Sequence, residues 1–366
     1  MTPLDLIRAD VATMEPYTPI YPFEVLAARL GRTPDSIIKL DANENPYGPS
    51  PRVRAALADL DYIHIYPDPA SQALRAALAR FTGLPVELLM AGAGADELLD
   101  LIMRLFLRPG DAIVNCPPTF GMYRFDAAIS GADVIPVERG PDFALDVDAL
   151  EAAVWQHHPK LVFIASPNNP DGSWLPDRAL ARLLDLPVVV VLDEAYVEFA
   201  GMHRSRIGLV PERDNLIVLR TFSKLAGLAG LRVGYGAFPV SLMPHLWKIK
   251  QPYNVSVAAS AAAMAALEDL DWLQDKVDRI IAERARFADL LSAIPYLRPY
   301  PSQSNFILCR VVGRNAEALK LALEREGILI RYYNQRRLAD HVRFTVGRPE
   351  QTDAVIAALQ RLLDET

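Results

Sequence analysis

Five consecutive residues, Val188-Val189-Val190-Val191-Leu192, are branched and apolar, with no polar side chain among them. A strand with one wet face alternates apolar and polar positions, so a strand without polar positions has to be covered on both faces. That condition selects an α/β architecture, a mostly parallel sheet packed between helices. Neighbouring segments obey the same rule. Apolar runs at 88–91, 112–116, 160–165, 187–192 and 215–219 are predicted strands. They alternate with helical patterns at 96–107, 121–130 and 176–184. Residues 71–81 also have helical period, with Ser71 as the expected N-cap.

After about residue 255 the texture changes. An alanine-rich helix at 256–267 leads into a long helix at 272–294. A strand, helix, strand, strand, helix order follows at 305–311, 316–326, 328–331, 342–346 and 351–363. With 366 residues the chain exceeds the size of one core, and two domains are expected. Residues 1–45 are proline-containing with one helical stretch at 23–30, and read as an arm lying against the rest. The predicted division is an arm over 1–45, a large domain over 46–255 and a small C-terminal α/β domain over 256–366.

Composition excludes several classes. Hydrophobic residues are 51% and charged residues 23%, as in a globular and not a disordered chain. The net charge of −7 gives no footprint for nucleic acid or an anionic membrane. No run approaches the ~20 apolar residues of a membrane span. The first ten residues carry Asp5 and Asp10 without a continuous apolar core, so no secretory signal is read and the cytoplasm is the expected compartment. Cys116 and Cys309 each end an apolar run and read as buried free thiols. The six histidines show no metal spacing, and no metal is expected.

The unusual polar residues of the large domain fall at predicted strand ends, where sheets of this class bind ligands. Gly92-Ala93-Gly94-Ala95-Asp96-Glu97 opens a helix whose free N–H groups suit an anion, although a tight turn explains it equally well. Ser166-Pro167-Asn168-Asn169-Pro170-Asp171-Gly172 offers asparagine amides to a phenolic oxygen. Asp193-Glu194-Ala195-Tyr196 ends the all-apolar strand, where a carboxylate is costly unless paired; a protonated pyridine nitrogen would pair it, as would a structural hydrogen bond. Arg220-Thr221-Phe222-Ser223-Lys224 delivers a lysine to a strand end, followed by glycine-rich backbone and by Arg232. Lysine, serine and arginine so placed suit an imine to a phosphate-bearing aldehyde, pyridoxal phosphate. Taken alone, Lys224 also reads as a surface lysine on a flexible loop.

The combination resembles the fold-type-I pyridoxal-phosphate aminotransferases. The strings Asn43-Glu44-Asn45-Pro46, Tyr66-Pro67, Gly94-Ala95-Asp96-Glu97, Cys116-Pro117-Pro118-Thr119-Phe120-Gly121-Met122-Tyr123, Ser166 to Pro170 and Thr221 to Lys224 resemble, within that fold, the histidinol-phosphate aminotransferase family. The resemblance runs from about residue 15 to the C-terminus. It implies a large domain with a seven-stranded, mostly parallel sheet, and ping-pong amino transfer between histidinol phosphate and 2-oxoglutarate in histidine biosynthesis. It further implies that Lys224 forms the imine and shuttles the proton, that Asp193 pairs with the ring nitrogen, and that Asn169 and Tyr196 bond the ring oxygen. Tyr123 would stack on the ring, and Ala95, Asp96, Ser223 and Arg232 would hold the phosphate. Tyr66 would reach the phosphate of a neighbouring subunit, making a homodimer with shared sites. Arg343 would take the substrate α-carboxylate and Arg331 its side-chain phosphate, with Asn43 and Tyr17 closing over the substrate. Asp171 departs from the family's usual Thr at a turn-shaping position. The aromatic and basic run Tyr332 to Arg337 leaves an aromatic aminotransferase, or a phosphothreonine decarboxylase of the same fold, as alternatives. A DNA-binding regulator or a nicotinamide oxidoreductase lacks its signature here.

Overall fold

The computed structural model describes residues 2–14 and 23–364. A short strand, β1 (Ile38–Leu40), lies inside the segment expected to be an arm. The next seven strands form one sheet: β2 (Leu89–Gly92), β3 (Ala112–Asn115), β4 (Asp133–Pro136), β5 (Leu161–Ala165), β6 (Val189–Asp193), β7 (Leu216–Thr221) and β8 (Gly234–Ala237). Their order is β2-β8-β7-β6-β5-β3-β4, and every pairing is parallel except the two made by β8. β6 lies at the centre and is buried beyond its first residue, as its lack of polar positions requires.

Two of the seven strands gave no apolar signal. β4 is an edge strand with exposed ends and no buried residue, so nothing selects an apolar run. β8 reads Gly-Tyr-Gly-Ala, against strand propensity, because the backbone is crowded. A Cβ on Gly234 would stand 2.6 Å from the Ala95 nitrogen, and one on Gly236 2.7 Å from the Phe238 ring.

Ser71 occupies the predicted N-cap of the Gln72–Thr82 helix, but its side chain makes no capping bond. Asp68 takes that role through Oδ2, which accepts from the Gln72 N–H at 2.7 Å. The Pro51–Ala58 helix, begun by proline at its first position, was not foreseen. Ser256 does cap its helix, Val257–Leu267, accepting from the Ala259 N–H at 3.1 Å. That helix packs on Pro51–Ala58 and Gln72–Thr82.

The second sheet comprises β1 with β9 (Leu297–Pro299), β10 (Phe306–Val311), β11 (Ile328–Tyr332) and β12 (His341–Thr345), in the order β1-β11-β12-β10-β9. β1 runs parallel to β11 with Ile38 opposite Ile328, so residues 38–40, within the expected arm, are stitched into the C-terminal sheet. The remaining pairings are antiparallel. Phe143, in the loop after β4, inserts among Leu308, Leu338 and Tyr300 of the C-terminal part. Arg337 reinforces this seam by donating to the Arg139 and Gly140 carbonyls. Cys116 and Cys309 are buried free thiols, and burial pushes the Cys116 thiol up to about 12. Among the described residues no helix is long and apolar enough to cross a membrane.

Candidate active site

A cavity of about 140 Å³ opens past the C-terminal ends of β2, β3, β5, β6 and β7. Parallel strands deliver their next residues to one edge, so segments far apart in sequence converge there. Ala95, Asp96, Asn169, Asp193, Tyr196, Ser223, Lys224 and Arg232, all singled out from sequence, line it.

Lys224 stands on the single helical turn that continues β7. Thr221 fixes this turn by accepting from the Ser223 N–H at 3.1 Å. Burial, together with the cation of Arg343, draws the Lys224 amine down to about 8. Its Nζ donates to the Ala42 carbonyl at 3.0 Å and stands 5.9 Å from the centre of the Tyr196 ring.

Asp193 ends β6 and is 6% exposed. Burial raises its carboxyl to about 6, against the Tyr123 hydroxyl and the Ala195 N–H, which favour the ionised form. Those two donors lie 2.6 and 3.0 Å from Oδ2 and Oδ1. Tyr196 and Asn43 meet at 3.1 Å, with the amide donating to the phenolic oxygen. Burial raises the Tyr196 hydroxyl to about 12, which keeps it a donor.

At the opposite wall the Ala95–Phe106 helix begins beside Arg232, whose Nη2 bonds Asp96 Oδ2 at 2.9 Å. A Cβ on Gly94 would meet that Nη2 at 2.7 Å, so glycine there allows the guanidinium to lie over the loop. Asp171 is buried and bonds Asn168 Nδ2 and the Ser173 N–H, shaping the turn that presents Asn169.

The placement of Tyr123 corrects the expectation that it stacks on a bound ring. Tyr123 is the second residue of the Met122–Ile129 helix, fully buried, with its ring stacked on Phe163 at 5.1 Å and its hydroxyl on Asp193. Phe120, three residues earlier, lines the cavity instead. It sits between the end of β3 and the helix, where side chains still face the strand-end edge.

Arg343 comes from β12 and is 4% exposed. It donates to Asn169 Oδ1 at 2.5 Å and to the Asp41 carbonyl at 2.8 Å, while its buried Nε has no partner. Arg331 pairs directly across from it on β11, and both guanidinium groups lie over the Tyr333 ring, at 5.4 and 5.8 Å. Arg331 is outside the cavity lining. Asn43 is buried at the seam and committed to Tyr196, Thr345 and Asn305. Tyr66 is 79% exposed and stacks on Tyr253 at 4.8 Å, away from this chain's own cavity. Tyr17 lies outside the described residues. Among those residues no metal-holding cluster occurs.

The family description "Aminotransferase class I and II" matches residues 35–359. The chain belongs to the class I and II aminotransferases. Within this aminotransferase family, the chain is 56% identical over 355 residues to the chloroplastic histidinol-phosphate aminotransferase of Nicotiana tabacum, covering 97% of this chain and 86% of that one. It is 54% identical over 365 residues to the histidinol-phosphate aminotransferase of Roseiflexus castenholzii, covering 98% of each. Among solved structures, the histidinol-phosphate aminotransferase of Sinorhizobium meliloti in complex with pyridoxal-5'-phosphate superposes with a TM-score of 0.89 at 31% identity, covering 98% of both chains. Those comparisons and the seven-stranded sheet establish the fold-type-I architecture of this aminotransferase.

Proposed function

We propose that this aminotransferase exchanges an amino group between histidinol phosphate and 2-oxoglutarate, using pyridoxal phosphate. One observation carries the reading: a buried lysine of lowered basicity and a buried carboxylate line one cavity of a chain more than half identical to enzymes of that name. The cavity fits the cofactor. It offers an amine for an aldehyde, a carboxylate for a cationic ring nitrogen, and a helix start with serine and arginine for a phosphate. The crowding at Gly94 and Gly234 shows how closely the phosphate-side backbone is packed.

When bound, pyridoxal phosphate supplies an electron sink for charge developing at the substrate α-carbon. Lys224 would supply the amine for the cofactor aldehyde and, when free, would take the substrate α-proton on Nζ, a role its lowered basicity suits. Asp193 would accept from a protonated ring nitrogen, Asn169 and Tyr196 would hydrogen-bond the phenolic oxygen, and Phe120 would lie against the ring. Ala95 and Asp96 through their backbone, Ser223 and Arg232 hold the phosphate. Arg343 binds the α-carboxylate through its planar fork. Arg331 meets the phosphate of the substrate side chain, and Tyr17 and Asn43 close the arm side. Tyr66, turned away from its own cavity, serves the site of a second copy in a homodimer. The cytoplasm is the proposed compartment, although the name of the Nicotiana relative places that protein in the chloroplast; cell fractionation decides it.

Relatives at 54–56% identity carry the histidinol-phosphate name and favour it over the aromatic aminotransferase and the phosphothreonine decarboxylase, an enzyme of which superposes at only 26% identity. A panel of histidinol phosphate, phenylalanine and phosphothreonine tests the reading. Histidinol phosphate should show the highest kcat/KM; phenylalanine in first place, or carbon dioxide release from phosphothreonine, would refute it.

A further inference from the structure

We propose that Tyr123 is a positioning residue that holds the Asp193 carboxylate ionised and aimed at the cofactor ring nitrogen. The inference rests on the cofactor reading above. Tyr123 Oη donates to Asp193 Oδ2 at 2.6 Å, and the ring that carries it has no exposed surface. Phe163 of β5 stacks on that ring at 5.1 Å, and Phe120 meets its edge at 5.6 Å, so the hydroxyl has little freedom to leave. Asp193 Oδ1 is fixed separately by the Ala195 N–H at 3.0 Å. Both oxygens are thereby oriented before any ligand arrives, with the carboxylate on the cavity wall.

The surrounding charges make this donor necessary. Asp96 and Glu194 face Asp193 with like charge, and Tyr196 adds a second phenol. Arg139, bonded to the Cys116 and Phe143 carbonyls, is a cation acting on Tyr123. Lys224 shares the cavity but is drawn toward neutrality. Burial and two like charges therefore push Asp193 toward its neutral form, and the Tyr123 hydroxyl opposes them. Burial likewise keeps the phenol protonated, so it remains a donor. In the bound state one proton lies between the carboxylate and the ring nitrogen. Stabilising the carboxylate moves that proton toward nitrogen, the form that withdraws electrons best.

The test uses holoenzyme carrying ring-¹⁵N-labelled pyridoxal phosphate. Tyr123→Phe keeps the stacked ring and removes only the hydroxyl. The ring-nitrogen resonance should move toward its unprotonated position, and cofactor release should quicken by about tenfold, the usual worth of a charged hydrogen bond. In an Asp193→Asn background the same change should leave the release rate within about twofold. Equal acceleration in both backgrounds would assign Tyr123 a packing role and overturn the proposal, as would an unmoved resonance with unaltered release. Absence of any cofactor adduct on Lys224 in the unmodified protein would instead overturn the functional reading itself.

Discussion

Lys224, Asp193, Asn169, Ser223 and Arg232 stand close after strand ends or strand connections of one sheet, whereas Arg331 and Arg343 come from a second sheet and Asn43 from the segment that leaves β1 of that second sheet. The cofactor side is thus set by a single rigid layer, and the substrate side by an assembly across a seam. Thr345, Asn305 and Tyr196 hold Asn43 there, and Arg343 reaches back over the seam to Asn169. The difference teaches that the proposed covalent chemistry draws on the strand ends of one continuous sheet, whereas the proposed substrate contacts combine two sheets and the chain between them.

Breaking the rigid half should cost most. Lys224→Ala is expected to lower kcat by at least about 10³-fold, because nucleophile and proton carrier vanish together, while the fold persists. Steady-state rates with circular dichroism check this; a variant retaining full turnover would remove the basis of the mechanism. On the seam side, Arg343→Lys should reduce kcat/KM by about 10²-fold through loss of the two-pronged carboxylate contact. Cofactor release should stay unchanged, and a matched loss of cofactor would erase the distinction between the halves. Arg331→Gln should raise KM for histidinol phosphate by about tenfold. An unphosphorylated amino donor should feel it far less, and an equal effect on both would remove Arg331 from phosphate recognition.

The buried amine sharpens the contrast through pH. Because Lys224 titrates near 8 in the folded apoprotein and at 10.5 ordinarily, its nucleophilic form predominates above 8. Attachment of pyridoxal phosphate, followed by absorbance, should slow about tenfold per pH unit well below that value. Over the same interval the unfolded chain binds the extra proton. The Lys224 contribution to apoprotein stability is therefore present above 10.5 and lost as pH falls through 8. The smallest effect belongs to the seam itself. Thr345→Val removes the hydroxyl that accepts from the Asn43 N–H and donates to its Oδ1, and should cost about 1–2 kcal/mol in denaturant unfolding.

Legibility followed the same division. The apolar runs that became β3, β5, β6 and β7 were readable because double-sided burial leaves no polar position, and the residues just beyond them were readable as site candidates for the same reason. β4 and β8 were not, since an edge strand and a glycine-crowded strand answer to neighbours and not to propensity. Ser71 had the right side chain for a cap, yet Asp68, four residues before the helix's first residue, was placed to reach its N–H. Tyr123 and Phe120 lie three residues apart in one motif. Only the start of the Met122–Ile129 helix decides which of them looks into the cavity.

Sequence by itself determined the layer architecture and marked Lys224 and Asp193 as strand-end candidates, because local periodicity and burial act over a few residues. Tertiary structure alone decided that β1 joins the C-terminal sheet, that Tyr123 serves Asp193, and that Arg343 bonds Asn169, 174 positions away. Such pairings depend on how separately folded layers meet, and no local pattern encodes the geometry of that meeting.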